Sequence, residues 1–429
     1  MQSIVKVSKQ KGIKIKDISI SKDKLFLFFQ YIFAFSLILN TRSVYVHTPA
    51  MDWMNNFVVL LMAFAVAGCV LTKNKFSRER TTWTLMIAVG VFLYLLLFYV
   101  VDPYKDSVFL KIIMEVMVLL LYCFLVEDRM QDTMRKFSNI VVMIAGISLF
   151  FWIFGSLLDW IPSTGTWILD WGSASGDAKG NIQVYYGIYF ETQTIYLSGI
   201  GRIIRNTAIF TEAPMCSLVF SLAFLVEIYL RKKKRILVCV ILVLGIISTT
   251  STTGIAIVVL ALGIKIMLKR GLRPSKSWFS MIAKSVLIPL LCLLVALIVF
   301  YFLSTKLNSS ASASGASRLY DFVNGFRAWF GKPIFGYGYG TSALVLEYGN
   351  YGFSNSIIPI LTQGGLYLFL LYLFPIFWGV TICILGKDWN KLIFYLLFLV
   401  MFVITIIPFQ NLTFYFLLTM VATRGKVSE

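Results

Sequence analysis

Apolar runs of about 17–25 residues recur along the whole chain, separated by polar breaks. That length crosses the roughly 30 Å of hydrocarbon in a bilayer. Backbone groups have no water to bond to there, so spanning segments must be helices or a closed barrel. Runs this long and this continuously apolar exclude the barrel. The pattern predicts an all-α polytopic membrane protein forming one integral membrane domain over 1–429. Twelve helices are expected, over 25–40, 56–72, 83–101, 108–126, 138–158, 208–230, 236–250, 253–268, 280–303, 356–385, 391–407 and 409–423. The pair within 236–268 is short and could be a re-entrant hairpin.

Composition supports this picture: 59% of residues are hydrophobic and 14% charged, against about 25% charged in soluble domains. The net charge of +19 invites a nucleic-acid reading, but the location of the charge argues against it. With the N-terminus inside, most Lys and Arg fall in the arm, the intracellular loops and the tail. This positive-inside bias places both termini in the cytoplasm. Nucleic acid is therefore not an expected partner, whereas membrane lipids are. The lysine-rich arm lacks a small-residue cleavage site and reads as an uncleaved signal anchor. "RKKKR" at 231–235 reads as a topology lock, with anionic-lipid contact as an alternative.

Cys69, Cys123, Cys216, Cys239, Cys292 and Cys383 stand singly in apolar spans and read as small hydrophobes. His47 is the only histidine, which excludes multi-His metal sites and argues against a Ser-His triad. A Walker-type phosphate loop is also missing. No metal and no cofactor are expected.

Two long connections, 159–206 and 304–355, face outward on this topology. Long loops in a compact fold are usually functional or disordered. The first carries "DWGSASGDAKGN", then "VYYGIYF", and ends in "GIGRIIRNTAIFTEAP". Arg202 and Arg205 are three apart and would share a face of a helical turn. The second opens with "STKLNSSASASGAS"; an amphipathic helix is expected over 318–330, ended by Gly331 and Pro333, before "GYGYG". Glycines there let the backbone bend or approach a ligand closely. Arg202, Arg205, Arg318 and Arg327 flank loops with few other cations. Interface arginines commonly snorkel to lipid headgroups, but guanidinium forks also bind phosphate oxygens bidentately. Arg318 and Arg327, nine apart, point in opposite directions on one straight helix.

Taken in order, "RNTAIFTEAP", "SRLYDFVNGFRAWFGKPIFGYGYGTS" and "FSNSIIPILTQGGLYLFLLYLF" resemble the O-antigen polymerase and ligase superfamily, polytopic glycosyltransferases of the GT-C type. Arg205, Phe210 and Pro214 match its first element. Arg318, Trp329, Pro333, Gly336, Gly338 and Gly340 match the second, and Asn355, Gly364 and Gly365 the third. Arg327 and Gly338 also fit the spacing of polymerase periplasmic loops. Ser354 stands where ligases carry histidine, which favours polymerase over ligase.

The resemblance implies an enzyme of the bacterial inner membrane that joins undecaprenyl-pyrophosphate-linked repeat units into O-antigen or a related surface polysaccharide, at the periplasmic face. A chain-length regulator is implied as a further partner. Arginines would replace the usual metal, with Arg205 and Arg318 clamping the diphosphate and Arg202 and Arg327 supporting. Gly336, Gly338 and Gly340 would set loop geometry. Glu212 at a span mouth is the first candidate base for the acceptor hydroxyl, an ion pair with a nearby arginine being its structural alternative. Asp321, Glu347 and Glu191 follow. Glu115, inside a span, suits either a proton-coupled carrier or a structural pairing. Trp160, Trp167 and Trp171 could stack on sugars, though tryptophan belts mark interfaces regardless of function. The rival functions are the related ligase and a lipid-linked oligosaccharide flippase or other transporter.

Overall fold

The computed structural model describes residues 21–51, 53–73, 77–126, 130–169, 180–197, 201–271, 312–341, 353 and 355–422. The first helices are α1 (Lys22–Asn40), α2 (Trp53–Thr72), α3 (Arg78–Val101), α4 (Ser107–Leu125) and α5 (Met130–Phe151, continuing as a π-turn over Trp152–Leu157). Next come α6 (Ala213–Leu225, with a π-turn over Val226–Leu230), α7 (Ile236–Ser248) and α8 (Thr252–Gly271). The last are α9 (Ser312–Gly331), α10 (Ile357–Leu385), α11 (Trp389–Ile404) and α12 (Asn411–Ala422). Among the described residues, seven helices are long and apolar enough to cross a membrane, and α7, α8, α11 and α12 are shorter apolar helices. The span expected at 280–303 lies outside the described residues, as do Cys292, Glu347, Ser354 and Trp171.

The helices alternate between two ends of one bundle. At one end the connections touch each other: Val44 N donates to Ile209 O, Asn206 N to Ser248 O, and Asn411 N to Asn40 Oδ1. At the other, Lys73 Nζ donates to Leu125 O, Arg135 to Leu230 O, and Lys265 Nζ to Asn390 Oδ1. We call these the loop end and the basic end. Helix α6 is the hub, with nearly every residue buried. By contrast α3 buries only Thr84, Leu95 and Phe98; its apolar outer face has the composition of a lipid-facing surface.

The short pair α7–α8 is not re-entrant. Arg235, before α7, bonds Glu227 near the basic end of α6, while Thr249, after it, accepts from Arg205 at the loop end. Helix α8 then returns past Ser217 to Tyr229, whose hydroxyl donates to Ala261 O. Close packing, with Gly254 against Ser217 and Gly245 against Phe220, lets both helices pass the full height of α6.

The run at 231–235 is more than a topology lock. Arg231 and Arg235 fold back onto the buried carboxylate of Glu227, which also accepts from Ser138 Oγ. Only Lys232, Lys233 and Lys234 are left exposed. A buried carboxylate must be paired, and the two flanking arginines supply that pairing.

The all-α expectation fails in the first long connection. Five strands form there: β1 (Gly165–Leu169), β2 (Gly180–Tyr185) and β3 (Tyr189–Glu191) in one antiparallel sheet, β4 (Thr194–Leu197) and β5 (Gly201–Ile204) in another. β-Branched and aromatic residues favour extended backbone. Tyr186 and Gly187 both take left-handed conformations (φ 51 and 69), and Ile188 N bonds Tyr185 O. That is the type I′ turn whose twist suits a hairpin. Trp167 packs inward against Tyr45 and Phe190 rather than offering a sugar platform, while Trp160 stays 69% exposed.

Candidate functional site

Three chain segments build the site at the loop end. The first is the turn after α1. Residues 42–44 run antiparallel to 209–211, with Thr211 N donating to Arg42 O and Val44 N to Ile209 O. This pairing brings the Arg42 guanidinium to Glu212, 2.9 Å from Oε1. Glu212 precedes α6, and Pro214 sits in its first turn, where a missing N–H costs nothing. Burial lowers the Arg42 pKa, and the Glu212 charge partly restores it.

The second segment is 201–206. Because it is a strand rather than a helical turn, Arg202 and Arg205 do not share a face: successive strand side chains point to opposite sides. Arg202 pairs across with Tyr196 and is exposed. Arg205 turns inward, its Nε donating to Thr249 O (2.9 Å) and Nη1 to Gln193 Oε1 (3.3 Å). Its pKa is lowered by burial, against the opposing pull of the Glu212 charge. Asn206 anchors the turn, bonding Ser148 and Ser248.

The third is the glycine-rich run. Gly336, Gly338 and Gly340 all have positive φ (68, 104 and 75). Tyr337 N and Gly338 N donate to Thr362 O and Gln363 O of α10. Those carbonyls are free because α10 breaks at Gly365 (φ 60, ψ −162). On the other side, Asp102 between α3 and α4 accepts from Tyr104 N and Tyr339 N, both 2.9 Å. A Cβ at Gly338 would overlap Asp102 Oδ1, so the position requires glycine for both space and conformation. Asn355, of the third sequence element, caps the head of α10, its Oδ1 accepting from Ile357 N and Ile358 N.

Between the first and third of these parts lies a cavity of about 380 Å³. Arg42 and His47 line it from the α1–α2 connection, and Lys111 and Glu115 from α4. Tyr339 and Gly340 line it from the glycine-rich run, Gln363 from α10, and Gln410 from the head of α12. Glu115 is 5% exposed. Lys111, one turn before it, donates to Asn56 Oδ1 at 3.1 Å. The Tyr339 phenol is pushed up to about 12, first by burial and then by the charges of Asp106 and Glu115.

The four arginines singled out by sequence are not gathered into this cavity. Arg202 and Arg327 are exposed on β5 and α9, Arg205 stands behind Glu212, and the Arg318 side chain lies outside the described residues. Glu191 is committed elsewhere, its Oε1 accepting from Ser156 and Tyr185. Sequence reasoning missed Arg42, Lys111 and Asp102. Arg42 was legible only as an arginine directly after a helix end; Asp102 and Lys111 lie in and just after the turn "VDPYKDS". Comparison with protein-family models, with curated proteins and with solved structures finds no match to this chain.

Proposed function

We propose that this chain is a glycosyltransferase that polymerises lipid-diphosphate-linked oligosaccharide repeat units at the outer face of a bacterial inner membrane, with both termini inside. One observation carries the reading. A cavity whose mostly apolar lining includes Arg42, Lys111 and Glu115 opens at the loop end of the bundle, and two of the three segments that resemble the polymerases supply part of its walls. The loop end would then be the periplasmic end.

In the reaction, the anomeric C–O bond to the diphosphate breaks and the acceptor oxygen bonds the anomeric carbon. The lipid diphosphate leaves with the electron pair, and the acceptor proton passes to a carboxylate. Cations aimed at the leaving diphosphate lower this barrier most. Arg42 and Lys111 in the cavity, and Arg205 behind Glu212, are the described residues suited to that role; Arg318 joins them on the resemblance. Glu115 lines the cavity, and Glu212 is paired with the lining residue Arg42; these are the carboxylates offered for the proton.

A strain lacking the gene tests this. Its surface polysaccharide on a gel should collapse to a core bearing one repeat unit. The wild-type gene should restore the ladder, and Arg205→Ala or Arg318→Ala should not. A core with no repeat units would point to the ligase or a flippase, and accumulated lipid-linked polymer would single out the ligase. The flippase has one feature in its favour, an intramembrane carboxylate, Glu115, on a cavity wall.

A further inference from the structure

We infer that α9 and the turn after it lie against the leaflet at the loop end, with Phe326, Phe330 and Ile334 among lipid tails and Arg327 and Lys332 at the phosphates of the bilayer's own headgroups. This docking needs a membrane and no particular reaction, so it stands apart from the polymerase reading.

Helix α9 is inside out for a segment in water. Asn324, Gly325 and Ala328 are buried, with Gly325 against Ile358 at the head of α10. Val323, Phe326 and Phe330 follow one another at helical spacing on the opposite face, and all three are exposed, Phe330 to 70%. A helix facing water carries polar residues outward. Here the outward arc is apolar, with exposed Arg327 at its edge and exposed Lys332 just past the helix end. An apolar face beside cations is the pattern of a helix lying in the headgroup layer.

What covers this face follows from where it ends. Leu366 N and Tyr367 N of α10 donate to Pro333 O and Ile334 O, which sets Ile334, 61% exposed, beside Tyr367. Tyr367 stacks on Tyr94 of α3 at 4.1 Å, and each hydroxyl donates to the other residue's carbonyl. Tyr94 lies about 10 Å before the end of α3, a helix long and apolar enough to cross a membrane. Leu93 and Leu97 of α3 and Leu366 and Leu370 of α10 are exposed there as well. Phe330 and Ile334 therefore extend the lipid-facing surface of the bundle. Lys and Arg stems reach from such a surface to the headgroups, where guanidinium and ammonium groups bond phosphate oxygens. The same run continues to Tyr339 on the cavity wall, so the bilayer becomes one support of the site.

The test uses the full chain in nanodiscs of phosphatidylethanolamine and phosphatidylglycerol, with a nitroxide on Phe330→Cys or Ile334→Cys. Wild type labelled in parallel gives the background from native cysteines. Collisions with oxygen, which concentrates in lipid, are compared with collisions with a water-soluble nickel chelate. Oxygen should dominate at 330 and 334, as at Leu97→Cys on α3, and nickel at Thr166→Cys on exposed β1. Nickel dominating at 330 and 334 would put the face in water. Low collision rates with both probes would put it under protein. Either result overturns the inference. Adding Arg327→Glu and Lys332→Glu should shift the balance at 330 toward nickel, and an unchanged balance would overturn the phosphate contacts.

Discussion

Arg42 takes a left-handed conformation (φ 50) just past the end of α1, where glycine is the usual residue. A side chain there carries backbone strain of order 1 kcal/mol, retained because it sets the guanidinium against Glu212. Both side chains are mostly buried, 14% and 20% exposed. Glu212→Ala would remove the carboxylate that Arg42 donates to and should lower stability by about 1–3 kcal/mol, read as a drop in melting temperature in detergent. Glu212→Gln keeps an oxygen for Arg42 to bond. Under the proposed function it should fold normally and lose the polysaccharide ladder; a full ladder would restrict Glu212 to pairing with Arg42. Tyr45 offers a pH test. Burial pushes its phenol up to about 12, and its hydroxyl donates to Gly187 O at 2.5 Å. A raised folded-state pKa contributes stability that is fully present below the unfolded value, near 10, and is lost as pH rises through about 12. Tyr45→Phe should therefore flatten the fall in melting temperature above about pH 10 and leave its slope near neutrality unchanged.

At the scale of elements, the glycine-rich run is a splint between the α3–α4 turn and the break in α10. Gly338→Ala would force a Cβ onto Asp102 in a backbone conformation alanine rarely adopts. We expect a lower melting temperature and a shortened or absent ladder, with Ala328→Gly on neighbouring α9 as a control that destabilises without touching Asp102. The α7–α8 hairpin makes a topological prediction. A cysteine at Thr250 should react with a membrane-impermeant maleimide from the same side as one at exposed Tyr186, and from the opposite side to one at Lys233. Labelling of 250 and 233 from one side would restore the re-entrant hairpin. Hydropathy alone could not decide this, because thirteen residues in α7 span only about 20 Å; the decision came from which ends of α6 those residues touch. The strands of the first long connection were hidden for a related reason. Short segments such as "NIQVYY" carry too few residues for periodicity to speak, and their pairing partners lie across turns.

For the whole molecule, the alternation of helices between a basic end and a loop end agrees with the charge bias read from the sequence. If the basic end is cytoplasmic, green fluorescent protein fused after Glu429 should fluoresce and alkaline phosphatase at the same place should be inactive. The reverse result would invert the proposed orientation. The apolar runs and the lysine and arginine placement determined the helical membrane class by themselves, because bilayer thickness and backbone desolvation act on each span separately. The left-handed glycines were legible for a similar reason: a Gly-Tyr-Gly-Tyr-Gly run has few other uses at a helix end. The assembly of the site was decided by tertiary structure alone. Arg42 meets Glu212 across 170 positions, and Asp102 meets Tyr339 across 237. Such pairs depend on how independent helices dock, and docking is set by packing between faces that no local pattern in the chain records.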